Sequence, residues 1–247
     1  MNKPLLSAFA AVLFAAQVQA GEITVSAAAS LKDAFGQMIA QYQARFPQSR
    51  VKLNTAGSGA LLQQVAQGAP VDVVAFADEE TMNQAQKKGL IVPQSRKTFA
   101  RNALVVAAPI GRSVPFHGLA DLSGSRFQRI ALSQPQSVPV GRYAKAALET
   151  AGVWQQLQPK IITTQNVRQS LDYIARGEVD AGFVYRTDAL LMKNKIKVLQ
   201  IVPTAQAVSY PLALTRRSGG NREAAQFAAY VLSPQGQQVL KRYGFGS

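Results

Sequence analysis

Four predicted helix starts and one predicted strand end carry the residues of this sequence best suited to bind a small anion. Each helix start follows a β-prone run and a turn of small residues. These positions are Ser30, Ser58, Val140, Val167 and, at the strand end, Tyr185. The first N–H groups of a helix lack an intrahelical acceptor, and the helix dipole favours negative charge there. Together the five positions offer backbone N–H groups, two serine hydroxyls and one phenol as hydrogen-bond donors.

A site of this composition selects an anion by its protonation state. Backbone N–H groups can only donate, so the set suits a fully deprotonated tetrahedral dianion, whereas hydrogen phosphate brings an O–H that needs an acceptor. Hydrogen bonds to a charged group contribute about 1.5–3 kcal/mol each. About five to seven of them, less the cost of association, predict affinity at about micromolar or tighter. The alternative is that the helices are ordinary capped helices and that Tyr185 is a half-buried strand residue.

The stretch around Ser30 shows how local structure would position such donors. Alanines at 27–29 allow a tight turn after the first predicted strand, and apolar residues from 31 to 42 recur at helical spacing. Ser30 and Asp33 stand where the first and last residues of a capping box belong. We therefore expect Ser30 to be the N-cap of a helix that runs to about Phe46.

Strand–turn–helix units recur along the chain and indicate an α/β fold with parallel sheets. Residues 71–77 are a near-continuous apolar run, as in a buried parallel strand, and residues 103–108 are predicted to form another buried strand. A helix is predicted from about Arg142, and Asn166 is predicted to cap a helix that begins at Val167. Glycines are expected to end four of the helices, at Gly68, Gly89, Gly152 and Gly177.

The composition argues against an enzyme. The chain has 247 residues, 47% of them hydrophobic, which is enough for one large or two modest domains. It has no cysteine and one histidine, so thiolate and His-rich metal sites are excluded. A serine hydrolase, kept as an alternative, would have to use His117, which lies in a Pro/Gly-rich loop without a nucleophile elbow. We predict no catalytic residue, no cofactor and no metal ligated directly by protein side chains.

The N-terminus has the features of a secretory signal peptide. Lys3 precedes an apolar run at 5–16, and small residues end at Ala20, after which we expect cleavage. The absence of cysteine excludes a lipoprotein anchor. These features predict a soluble protein exported to the periplasm.

The net charge of +14 raises a nucleic-acid binder as a further alternative. Lysine and arginine are scattered, however, and cluster only in pairs such as Lys87-Lys88 and Arg216-Arg217. Export and this distribution favour a basic surface that gathers anions.

Six segments together resemble those of periplasmic molybdate-binding proteins, which serve ATP-driven molybdate importers. The resemblance extends from about residue 22 to the end, and its segments are 27–31, 68–72, 138–145, 166–168, 184–189 and 241–245. It implies a type II periplasmic binding protein with two α/β lobes, each a mixed, mostly parallel sheet flanked by helices. The ligand would lie in the cleft between lobe I, 21–101 plus 208–247, and lobe II, 102–207. Hinge crossovers are expected near Asn102 and Ala207.

The resemblance also implies a ligand and partners. The ligand would be molybdate, with tungstate bound as well and chromate as a further candidate, and the partner would be the membrane permease of an ABC importer. A monomer that binds no nucleic acid and performs no catalysis is expected. Within the same class of protein, the alternative is a receptor for sulfate or another oxyanion. The size of the anion would distinguish the two, because sulfate is smaller than molybdate.

The site residues follow from matching positions. Ser30 resembles the serine of the first loop and Ser58 that of the second turn. Val140 stands where the family usually has an alanine that binds through its backbone N–H. Val167 resembles the other backbone donor, and Tyr185 the phenolic donor.

Two features lie beside these matches. Gly57 and Gly59 depart from the serine-rich second turn that we expect in the family. The neighbouring arginines are expected to stay at the periphery of the site, because burying a charge is costly; they are Arg142, Arg168 and Arg186.

Overall fold

The computed structural model describes residues 21–112 and 115–246, which form two five-stranded β-sheets flanked by helices. The predicted signal peptide, residues 1–20, lies outside the described residues. Within the described ranges, no helix is both long and apolar enough to cross a membrane.

The first sheet has the strand order β2-β1-β3-β10-β4. β10 is antiparallel to both of its neighbours, and the other four strands share one direction. The strands are β1 (Glu22–Ala28), β2 (Arg50–Ala56), β3 (Val73–Ala75), β4 (Lys97–Asn102) and β10 (Val208–Leu214).

The second sheet repeats this plan with the order β7-β6-β8-β5-β9. Its antiparallel member is β5, again in the fourth position. The strands are β5 (Leu104–Pro109), β6 (Ile130–Ser133), β7 (Ile161–Thr164), β8 (Ala181–Tyr185) and β9 (Ile196–Val202). The predicted mixed, mostly parallel sheets are confirmed. We call the part built on the first sheet lobe I and the part built on the second sheet lobe II.

Helices cover the sheets. They are α1 (Lys32–Arg45), α2 (Ser58–Ala66), α3 (Glu79–Lys87), α4 (Pro139–Thr150), α5 (Trp154–Leu157), α6 (Val167–Ala175), α7 (Arg186–Leu191), α8 (Arg222–Leu232) and α9 (Pro234–Arg242).

The chain passes from one sheet to the other twice. β4 ends at Asn102 and β5 begins at Leu104, while β9 ends at Val202 and β10 begins at Val208. Each antiparallel strand therefore starts directly after a crossover, and its first residues lie at the junction of the lobes.

Aromatic packing holds the C-terminal helices on lobe I. Tyr42 of α1 and Phe227 of α8 are both fully buried, with ring centroids 5.2 Å apart and planes at 89°. This edge-to-face arrangement is the one that aromatic quadrupoles favour. The Tyr42 hydroxyl also donates to Glu223 at 2.6 Å. The end of the chain thus completes the lobe in which it began.

Two helix starts differ from the prediction. Ser30 is not an N-cap: the strand continues to Ala28, a short 3₁₀ turn covers Ala29–Leu31, and α1 begins at Lys32 without a side-chain cap. The Ser30 hydroxyl bonds Tyr210 instead of the helix backbone. α4 begins at Pro139, before the predicted Arg142, because proline suits the first helical position.

Candidate functional site

All five predicted site residues line one cavity between the lobes. Lobe I contributes Ser30 and Ser58, and lobe II contributes Val140, Val167 and Tyr185. Every one of the five is at most 3% exposed. The cavity volume is about 10 Å³, far below the range of about 300–1,000 Å³ that is usual for organic ligands. A cavity of this size excludes organic ligands and leaves room for a small inorganic ion at most.

The Ser58 hydroxyl is set to donate into the cavity. Its oxygen accepts the backbone N–H of Ala77 at 3.1 Å, which occupies a lone pair and leaves the hydroxyl proton for another partner. Ser58 is also the first residue of α2, so its backbone N–H has no acceptor within the helix. One residue thus offers two donors.

Val140 and Val167 present their backbones. They occupy the first turns of α4 and α6, and no described residue accepts a hydrogen bond from either N–H. Their side chains belong to the buried core. Because each side chain is packed in the core, the backbone N–H is the group that either valine can offer to a ligand.

The Tyr185 hydroxyl has no hydrogen-bond partner among the described residues although the side chain is buried. Its backbone N–H donates to Asp188 at 3.2 Å, and its ring packs against Tyr210 with centroids 6.0 Å apart. Burial raises the pKa of the Tyr185 phenol well above its usual value, so the group keeps its proton. An unsatisfied buried hydroxyl costs about 1–3 kcal/mol, which indicates an acceptor in the ligand.

Arg168 connects the two lobes beside the cavity. Its guanidinium lies 2.7 Å from Asp33 of α1 and 2.9 Å from the fully buried Asp188 of α7. It also donates to the backbone oxygen of Ser30 at 3.3 Å. The positive charge is therefore compensated by carboxylates, and Arg168 does not line the cavity.

Arg142 makes the second ion pair across the cleft. Its Nε and Nη2 lie 2.8 and 2.6 Å from Asp78, the N-cap residue of α3, and Nη2 donates to Thr81 at 2.7 Å. Arg186 donates to the Gly244 oxygen at 3.3 Å. Neither arginine lines the cavity. The sequence offered no signal for the pair with Asp78, because the partners are 64 positions apart.

Gly57 and Gly59 lie where the backbones of the two lobes are in contact. The Gly59 N–H donates to the Ser137 oxygen across the cleft at 2.9 Å. A Cβ on Gly59 would lie 2.9 Å from Ser137 Cα and overlap its carbonyl oxygen, and one on Gly57 would lie 2.9 Å from the Gln165 oxygen. The departure from a serine-rich turn thus coincides with backbone-to-backbone contact between the lobes.

Asp188 gives the stability of the protein a pH dependence. Burial raises its pKa to about 6, although Arg168 opposes the shift, whereas an unfolded aspartate titrates near 3.9. Between about pH 4 and 6 the folded state keeps a proton that the unfolded state has lost. The stabilisation from this proton is present below pH 4 and is lost as the pH rises to 6.

Asp188→Asn removes this titration. As the pH rises from 4 to 7, the wild type loses stability relative to the variant. The difference between their free energies of unfolding is expected to change by up to about 3 kcal/mol in favour of the variant. Urea unfolding of ligand-free protein at both pH values measures this difference. A difference that does not change with pH contradicts the prediction.

His117 does not join the cavity. Its side chain is 83% exposed and its Nδ1 lies 3.5 Å from Asp121 on the surface of lobe II. The serine-hydrolase alternative therefore lacks a histidine beside the buried serines. In the part of the chain that the structure describes, no group of three or more His, Cys, Asp or Glu residues could hold a metal ion.

Comparison with known proteins identifies the family to which the chain is similar. Residues 23–246 match the family described as bacterial extracellular solute-binding protein. The chain is 35% identical to the molybdate-binding protein ModA of Escherichia coli, covering 91% of this chain and 89% of that protein. It is 34% identical to ModA of Mycobacterium tuberculosis, covering 92% and 85%.

A solved structure has the same fold. The periplasmic molybdate-binding protein of Azotobacter vinelandii superposes with a TM-score of 0.81 at 24% identity, covering 91% of this chain and 99% of that chain. The resemblance to substrate-binding proteins of molybdate importers, first indicated by the sequence motifs, is confirmed. The chain belongs to the family of bacterial extracellular solute-binding proteins, which are transport proteins.

Proposed function

We propose that this protein binds molybdate in the cavity between its lobes and delivers it to the membrane permease of an ABC importer. The observation that carries the proposal is the buried Tyr185 hydroxyl, which has no hydrogen-bond partner among the described residues and lines a cavity together with Ser30, Ser58 and the starts of α4 and α6. Neutral donors on several sides suit a small dianion without protons. The relatives named for molybdate binding support this choice of ion.

The finer parts of the proposal follow from the same chemistry. Tungstate has the charge and nearly the size of molybdate, so the protein is proposed to bind it too, with chromate as a smaller candidate. The protein is proposed to work as a periplasmic monomer without catalysis, after cleavage behind Ala20. Lobe I is proposed to comprise 21–101 plus 208–247 and lobe II 102–207, closing on the ion by a hinge.

Sulfate is the competing ligand, because its receptors are built for the same charge and geometry. Sulfate is smaller than molybdate, so donors spaced for the larger ion would lie out of its reach. Molybdate and tungstate at a hundredfold excess over Kd are expected to raise the melting temperature by about 5–10 °C. Sulfate and phosphate should have little effect in the same thermal-shift panel. An equal rise with sulfate would favour the sulfate receptor.

Removing single hydroxyls tests the assigned donors. Ser30→Ala and Tyr185→Phe each delete one hydrogen bond to a charged ligand and are expected to weaken molybdate binding by about tenfold or more. Titration calorimetry measures the effect. Ser123→Ala and Tyr230→Phe, whose hydroxyls bond Ala120 and Gln41 outside the cavity, are the matched controls. Unchanged affinity in both site variants would refute the site.

A further inference from the structure

A buried chain of hydrogen bonds joins Ser30 to the first crossover between the lobes. The Ser30 hydroxyl lies 3.1 Å from the Tyr210 hydroxyl, which in turn lies 3.2 Å from Nδ2 of Asn102. Tyr210 is fully buried in β10, and Asn102 is the last residue of β4. Neither residue lines the cavity. A residue of the cavity is thus connected to two residues outside the cavity lining.

The backbone N–H of Ala103, at the Asn102 end of this chain, determines which group donates in each hydrogen bond. The backbone N–H of Ala103 can only donate, and it donates to Oδ1 of Asn102 at 2.9 Å. The amide therefore directs Nδ2, a donor, at the oxygens of Tyr210 and Thr187. Burial raises the pKa of Tyr210, so the phenol keeps its proton. With its oxygen accepting from Asn102, Tyr210 donates that proton to Ser30.

Ser30 and Ser58 are thus hydrogen-bonded to the protein in the same way. Ser30 accepts from Tyr210 as Ser58 accepts from the N–H of Ala77. Each serine has one lone pair engaged by the protein, and its own proton is directed at the cavity. Without Tyr210, the Ser30 hydroxyl would be able to turn and accept a hydrogen bond from the ligand.

We propose that Tyr210, oriented by Asn102, is a positioning residue that fixes the Ser30 hydroxyl as a donor and thereby selects anions without a proton. The proposal rests on the proposed function, because it concerns the same oxyanion site. It extends the determinants of specificity beyond the residues that contact the ion.

A double-mutant cycle tests whether Tyr210 acts through Ser30. Calorimetry with molybdate would compare the wild type, Tyr210→Phe, Ser30→Ala and the double variant. We expect Tyr210→Phe to weaken binding about five- to tenfold in the wild type and less than about twofold in the Ser30→Ala background. A merely structural role of Tyr210 would weaken both backgrounds equally, and that result would overturn the proposal.

Anion selectivity provides a readout that loss of packing would not change. At mildly alkaline pH, selenate and hydrogen arsenate are both tetrahedral dianions of similar size, but only hydrogen arsenate carries an O–H. The wild type should prefer selenate. Tyr210→Phe should shift the affinity ratio towards hydrogen arsenate by about tenfold, since the Ser30 oxygen can then accept a hydrogen bond from the O–H of that anion. An unchanged ratio would contradict the proposal.

A second variant covers the case in which Tyr210→Phe fails to fold. Asn102→Asp keeps the shape and the bond from Ala103 but replaces the donor with an acceptor, so Tyr210 would donate to the carboxylate and no longer to Ser30. Asn102→Asp should weaken molybdate binding less in the Ser30→Ala background than in the wild type. Repulsion between the new charge and the ion would instead weaken binding equally in both backgrounds. Equal effects in the two backgrounds would count against the relay. A wild type that binds no tetrahedral oxyanion would instead refute the proposed function.

Discussion

Gly59→Ala is expected to weaken molybdate binding about a hundredfold without disturbing either lobe. The added Cβ would overlap the carbonyl oxygen of Ser137 on the facing lobe, so the cleft cannot close to the observed distance. The donors of lobe II would then remain out of reach, and two lost hydrogen bonds to a charged ligand correspond to about 3 kcal/mol or more. Calorimetry with molybdate measures the loss.

Gly36→Ala is the matched control. Gly36 lies within α1, and a Cβ there would have no heavy atom within 4 Å. Both glycines are helical, so alanine should leave the ligand-free melting temperature unchanged or slightly raised in each variant. Wild-type affinity in Gly59→Ala would show that the lobes need not approach this closely to hold the ion.

Gly141→Ala is expected to destabilise lobe II itself. Gly141 lies in the first turn of α4, where a Cβ would be 2.7 Å from the carbonyl carbon of Ser133 and would overlap its oxygen. Overpacking against backbone in a rigid core costs about 3 kcal/mol, which lowers the melting temperature by about 10 °C. Thermal unfolding without ligand measures it, again with Gly36→Ala as control.

The two substitutions separate closure from folding. Gly59→Ala should affect binding and spare ligand-free stability, whereas Gly141→Ala should lower stability whether or not ligand is present. The reason is that the first overlap lies between lobes and the second lies inside one lobe. If Gly141→Ala melted at the wild-type temperature, the close packing of α4 on the end of β6 would not be the constraint we describe.

Local signals predicted local structure well. Gly89 and Gly177, expected to end helices, follow α3 and α6 with φ of 67° and 70°, values that only glycine adopts freely. Asn166 caps α6 by accepting from two backbone N–H groups, as its residue type indicated. These features depend on neighbours within a few residues, and such neighbours are visible in a sequence.

Contacts between distant residues were not visible. Ser30 looked like an N-cap, but its hydroxyl bonds Tyr210, 180 positions away, and a 3₁₀ turn replaces the expected start of α1. Asp78 caps α3, and it also pairs with Arg142 on the other lobe. The residues alone left open whether the four helix starts meet. The structure brings them to one cavity.

The valines of the cavity have a consequence for how this site can change during evolution. Val140 and Val167 contribute main-chain groups while their side chains fill the core. Any apolar residue of suitable volume can therefore replace them without altering the main-chain groups at the cavity. Substitution at these positions is limited by packing, so divergent descendants can keep the same cavity after both residues have changed.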